Sequence, residues 1–84
     1  LLTMLYLIDE PMAEIAFRTV SEDPDGIVVL IQDGVLLDPD LDVPTYAVEE
    51  DVVVRGRTLP DGVEPIDYDR VLSMILEQEV TSFV

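Results

Sequence analysis

Ile27-Val28-Val29-Leu30-Ile31, followed by Gln32-Asp33-Gly34, is the stretch on which the fold turns. Five consecutive apolar residues, most of them β-branched, suit a strand covered on both faces, because a strand with one wet face alternates apolar and polar positions. Such a strand belongs at the centre of a parallel sheet. Asp33-Gly34 can be read as a hairpin turn, but Val35-Leu36-Leu37 is short and runs into Asp38-Pro39-Asp40-Leu41-Asp42. A tight backbone turn leading to a brief helix or loop fits better than a returning strand.

The same order, an apolar run and then carboxylates, recurs along the chain. Leu5-Tyr6-Leu7-Ile8 meets Asp9-Glu10, Tyr46-Ala47-Val48 meets Glu49-Glu50-Asp51, and Glu64-Pro65-Ile66 meets Asp67-Tyr68-Asp69. Leu2 to Ile8 reads as a buried strand. Asp9 then serves as N-cap of a helix with Pro11 in its first turn and Ala13, Ile15, Ala16, Phe17 and Val20 on its apolar face. Ser21-Glu22-Asp23-Pro24-Asp25-Gly26 ends that helix. Thr45 to Val48 is a third strand, and Glu49-Glu50-Asp51 suits the start of a short helix, where carboxylates favour the dipole. Gly56 supplies its left-handed terminator. After the turn Leu59-Pro60-Asp61-Gly62, Val63 to Ile66 forms a fourth strand, in which Pro65 requires a site that needs no ladder N–H. Asp67 caps a last helix with Val71, Leu72, Ile75 and Leu76 as its apolar stripe, and Val80 to Val84 adds a terminal strand. Strands alternating with short helices predict a parallel α/β sheet with right-handed crossovers.

With 84 residues the chain is one domain, residues 1–84, near the lower limit for a self-sufficient core, so a partner is expected to contribute to its stability. Its hydrophobic fraction of 49% separates it from disordered acidic chains. The longest apolar stretch, Leu1 to Ile8, is far below the roughly 20 residues of a membrane span, and no positively charged segment precedes it as in a signal peptide. A cytoplasmic protein without membrane contact is the expectation.

Charge narrows the function further. Nineteen acids stand against four basic residues, all arginine, for a net charge of −15 without lysine or histidine. Self-repulsion of that size is screened in molar salt, where the Debye length falls to about 3 Å. The composition resembles that of salt-in halophiles such as haloarchaea; an acidic mesophilic protein is the alternative. Direct nucleic-acid binding is disfavoured, since nothing basic would displace counterions from phosphates. There is no cysteine, which removes disulfides, thiolate metal sites and any nucleophilic or persulfide-carrying thiol. Hydrolase, nucleotide-binding and zinc chemistry lack their histidine, cysteine or glycine-rich loop, and a phosphoacceptor receiver lacks its lysine. No cofactor is called for.

Three blocks in order, Leu30-Ile31-Gln32-Asp33-Gly34-Val35, Tyr46-Ala47-Val48-Glu49-Glu50-Asp51 with Arg55-Gly56, and Gly62-Val63 with Ile66-Asp67-Tyr68, resemble the sulfur-relay proteins TusB and DsrH of the DsrE/DsrF/DsrH-like superfamily. The resemblance implies a three-layer α/β/α fold around a parallel sheet of about five short strands. It also implies a subunit of a hetero-oligomer with DsrE/DsrF-like (TusC/TusD-like) partners, in a relay that hands on persulfide sulfur for 2-thiolation of the tRNA wobble uridine or for sulfur trafficking. Two departures stand out. The cysteine that some members carry in the first helix would fall at about Ala16 to Arg18 and is absent, so the carrier role does not transfer. The segment Leu36 to Val43 is shorter than usual and contains Pro39, so the helix after the Gln-Asp-Gly turn is truncated.

Gln32, Asp33, Gly34, Glu50, Arg55 and Asp67 are the candidates for contact with a partner, and each has a plainer reading beside it. Gln32, Asp33 and Gly34 read either as a contact at a subunit interface or beside a partner's reactive cysteine, or as a turn in which Asp33 hydrogen-bonds its own backbone. Glu49, Glu50 and Asp51 read as helix-start carboxylates or, with Asp9 or Asp33, as ligands of a hard cation. Arg55 and Arg57 read as cations for a partner's acids or for a bound anion, or as local ion-pair and dipole partners. Asp67 and Tyr68 cap and anchor the last helix. Together these readings give a non-catalytic sulfur-relay subunit, with self-association also open. A stand-alone binding or regulatory module of the same fold, or a carboxylate metal-binding domain, are the alternatives.

Overall fold

The computed structural model describes residues 3–84. Five strands, β1 (Met4–Ile8), β2 (Ile27–Leu30), β3 (Thr45–Val48), β4 (Val63–Ile66) and β5 (Glu79–Phe83), pair in parallel in the order β4-β3-β2-β1-β5. The five-residue apolar run from Ile27 thus supplies the middle strand. The start of β1 expected at Leu2 lies outside the described residues. Helices α1 (Ala13–Val20), α2 (Glu49–Val54) and α3 (Tyr68–Glu77) supply the covering layers, and a 3₁₀ turn spans Gln32–Leu36. Pro65 lies in β4, an edge strand, where a missing N–H costs no ladder bond.

Two cores flank the sheet. On one face Tyr6, Ile8, Val28, Leu30, Ala47 and Val63 pack against Ala16 and Val20 of α1, Val35 of the 3₁₀ turn and Val52 of α2. On the other face Leu5, Val29 and Val48 meet only Val71 and Met74 of α3, with Ile75 beside them. The crossovers β1–α1–β2, β2–turn–β3 and β3–α2–β4 all step in one direction and share a face. The return from β4 to β5 spans the whole sheet, and right-handedness puts α3 on the opposite face.

Local signals account for most boundaries. Asp9 caps the 3₁₀ turn Glu10–Met12, its carboxylate accepting from the Glu10 N–H at 2.6 Å, and that turn leads into α1. Asp67 caps α3, accepting from the Arg70 N–H at 2.8 Å. Gly56 at φ 61° comes just after α2, and Gly62 at φ 90° sits in the turn before β4, both in the left-handed region that glycine occupies without strain. No regular structure lies between the 3₁₀ turn and β3, as the short Leu36–Val43 segment requires.

One stripe is corrected. Val71, Met74 and Ile75 face the sheet, whereas Leu72 is 56% and Leu76 86% exposed. A helix whose apolar arc is wider than its contact can seat only part of that arc. Ile15 of α1 is likewise exposed, while Ala13 and Phe17 pack at the margin of the core.

Tyr6 ties β1 to the loop after α1. Its hydroxyl donates to Asp23 Oδ2 at 2.7 Å, and its ring stacks on Phe83 of β5 with centroids 6.3 Å apart. Burial, then the hydrogen bond and charge of Asp23, push the phenol up from its ordinary 10.0 to about 12. Gly26 gives the ring its room, since a Cβ there would stand 2.8 Å from Tyr6 Cε2.

Candidate functional site

Because all strands are parallel, Asp9, the Gln32–Gly34 turn, Glu49-Glu50-Asp51 and Asp67 collect along one edge of the sheet, the carboxyl edge, where α/β folds usually place their sites. The turn is the best-defined part of that edge. Ile31 N–H donates to the Ile8 carbonyl at 3.0 Å, and Gly34 N–H to the Ile31 carbonyl at 2.8 Å. Gly34 is buried against the end of β1; a Cβ there would stand 2.3 Å from the Ile8 carbonyl oxygen, backbone that cannot swing aside. Only glycine permits this approach.

Gln32 adopts φ 50°, the one non-glycine residue with positive φ among the described residues. That conformation costs a side-chain-bearing residue on the order of 1 kcal/mol. It is held by Asp51, whose Oδ2 accepts the Gln32 N–H at 2.8 Å. Asp51 Oδ1 in turn lies 3.5 Å from Arg55 Nη1, and Arg55 Nε donates to Asp33 Oδ1 at 2.8 Å. Four residues from two segments thus close a ring: Gln32 and Asp33 of the turn, Asp51 and Arg55 of α2 and its end. The expectation that Asp33 would hydrogen-bond its own backbone is corrected here. Asp33 reaches across to Arg55, and the carboxylate that satisfies the turn's backbone is Asp51, nineteen residues away from Gln32.

Arg57 has a different task. Its guanidinium pairs with Asp38 and donates to the Leu37 carbonyl at 3.3 Å, anchoring the irregular segment before β3. With Arg55 between Asp33 and Asp51, the local ion-pair reading of both arginines is the one their geometry supports. The same pairing bears on the cation-site reading, because Asp33 and Asp51 already bracket a positive charge of the chain itself. Among the described residues no group of three or more acidic, histidine or cysteine side chains is placed to hold a metal ion.

The structure therefore brings Gln32, Asp33, Gly34 and Arg55 together and leaves Glu50 and Asp67 outside the ring. Those two, with Glu49, Val53 and Val54, line a separate open concavity of about 440 Å³ on the same sheet edge. Asp51 and the two valines are not among the contact residues that the sequence singles out. Val52-Val53-Val54 does carry a signal, since three consecutive residues of a short helix cannot all face one core; only Val52 does.

No helix among the described residues is long and apolar enough to cross a membrane. No family model and no curated protein matches the chain. Among solved structures it is similar to the ychN protein of E. coli, with a TM-score of 0.73 at 16% sequence identity over 99% of this chain and 100% of that one. At that identity the likeness establishes the fold alone, a five-stranded parallel sheet with helices on both faces, which is the α/β/α architecture expected from the sequence.

Proposed function

We propose that this chain is a non-catalytic interaction subunit of a sulfur-relay complex, a DsrH- or TusB-like protein of the cytoplasm that assembles with DsrE/DsrF-like chains bearing the reactive cysteine. The observation that carries this reading is the Gln32–Gly34 turn: a strained residue, an irreplaceable glycine and a four-residue polar ring, all devoted to a surface turn at the end of the central strand. Stability alone does not call for φ 50° at a glutamine; presenting an exposed side chain in one direction does. A fold shared with the ychN protein is compatible with the relay family, and a chain without cysteine cannot itself carry persulfide. In this reading the turn works by contact, positioned to present Gln32 and Asp33 to a partner. Delivery to the tRNA wobble uridine, or to another sulfur acceptor, is the partner's chemistry. The acidic surface suits a high-salt cytoplasm.

Native mass spectrometry of this chain co-expressed with a DsrE-like paralogue in high salt tests the proposal. The expected result is a hetero-oligomer that Gln32→Ala weakens without unfolding the subunit. Recovery of the monomer alone, beside a fully assembled DsrE-like partner, would overturn it.

A further inference from the structure

The concavity beside α2 has a composition that nothing within the chain uses. Val53 and Val54 are 71% and 80% exposed and stand outside both cores. Exposed consecutive valines are a poor choice for a six-residue helix by propensity, so their local contribution to folding is unfavourable. They form the apolar part of a hollow whose other lining residues are Glu49, Glu50 and Asp67. Among the described residues no cation lines it. Arg55 is held by Asp33 and Asp51, Arg57 by Asp38 and Arg18 by Glu14, so three of the four arginines are already paired with the chain's own acids.

We infer that this hollow docks a cationic segment of a different protein, one that seats a large apolar side chain against Val53 and Val54 and carries arginine or lysine on either side of it, facing Glu49, Glu50 and Asp67. The inference rests on the interaction-subunit reading and names a second contact for it. Charge complementarity selects the occupant. A second copy of this chain would bring mainly carboxylates against these carboxylates, with no lysine and with Arg70 as its one arginine outside the ion pairs of the described residues. Nucleic acid and anionic lipid carry the same sign of charge as the rim. The valines supply the dehydrated centre and the carboxylates the rim, the division of roles usual in protein contacts.

The test uses the full chain and three synthetic peptides of equal length: an amphipathic peptide of leucine and arginine, its leucine and glutamate counterpart, and oligo-arginine. Titration by fluorescence anisotropy at two salt concentrations should show saturable one-to-one binding of the first peptide only. Its affinity should fall at least tenfold with Val53→Ser/Val54→Ser and severalfold with Glu49→Gln/Glu50→Gln. It should be unchanged by Glu22→Gln/Asp25→Asn at the opposite edge of the sheet. Equal binding of oligo-arginine, or indifference to the valine substitutions with melting temperature intact, would reduce the interaction to diffuse charge attraction and defeat the inference. The relay proposal fails separately. If the complex with the DsrE-like chain forms and the valine variant leaves it intact, the docking site falls and the relay reading stands. If the peptide binds at this site while no such complex forms, the reverse holds.

Discussion

The two faces of the sheet are equally apolar in sequence and unequally covered in structure. One face carries α1, the 3₁₀ turn, the loop after it and α2; the other carries α3 alone. Ile8, Val28, Leu30 and Ala47 are fully buried on the well-covered side; under α3 Leu5, Val29 and Val48 are fully buried too, but Leu7, Ile27, Ile31, Tyr46 and Ile66 around them are only half-buried. The direction of the connections, and not the hydrophobicity of the strands, therefore sets how much core each face acquires. Three crossovers stepping the same way must share a side. The single return leaves ten helical residues to cover the breadth of five strands.

Substitutions put that contrast at risk in graded steps. The largest effect is expected on the covered side. Gly34→Ala forces a Cβ into the Ile8 carbonyl and should destabilise the fold by about 3 kcal/mol or more, at the upper end of overpacking costs. Leu30→Ala, at a position with no solvent exposure, should cost about 3–5 kcal/mol, read as a shift of the denaturation midpoint in high salt. If Leu30→Ala cost no more than an exposed-leucine substitution on α3, the contrast between the faces would be lost.

Intermediate effects probe the ties at the edges of the covered face. Asp51→Asn weakens the anchor of Gln32 and the charge beside Arg55 and should cost about 1–2 kcal/mol. Gln32→Gly relieves the positive φ at some expense in unfolded-chain entropy. It should leave stability within about 1 kcal/mol of the parent while weakening the proposed subunit contact. Tyr6 supplies a pH signature. The folded state holds the phenolic proton up to about pH 12, and the unfolded chain releases it near 10.0. Stability is therefore unaffected by this group below pH 10 and falls between 10 and 12, by on the order of 2 kcal/mol in total. Tyr6→Phe should flatten that decline in an alkaline unfolding series, and an unchanged slope would mean the Asp23 tie does not hold in solution.

The smallest effect belongs to the sparsely covered side. Leu76→Ser, at 86% exposure, should change stability by less than about 0.5 kcal/mol, as measured by chemical denaturation. A larger loss would mean that Leu76 is buried in solution, against a second molecule or by a shift of α3.

The elements were legible because their signals are local. Thr45–Val48 and Val63–Ile66 are bounded by residues that start or stop a strand, Asp9 and Asp67 cap the helical turns behind them, and Pro65 announces an edge strand. The Gln32–Gly34 turn was legible as a place, since Gly34 and the end of a buried run mark it. Its construction was not. Asp33 has a choice between its own backbone and a distant arginine, and sequence adjacency favours the former on paper. In the folded chain Arg55, projecting from the end of α2, offers an ionic hydrogen bond, and Asp51 takes the backbone donor.

Residue identity and short-range pattern were enough for the parallel sheet with its central strand at Ile27, for the strand ends rich in carboxylates, and for the absence of any thiol, imidazole or lysine chemistry. Those features need no knowledge of what lies across the molecule. It took the folded chain to determine which arc of α3 meets the sheet, which carboxylate holds Gln32, and that Val53 and Val54 are left outside with Glu49, Glu50 and Asp67 around them. Each of these depends on how much surface a neighbouring element can cover or reach, a quantity set by chain direction and packing rather than by the residues taken one segment at a time.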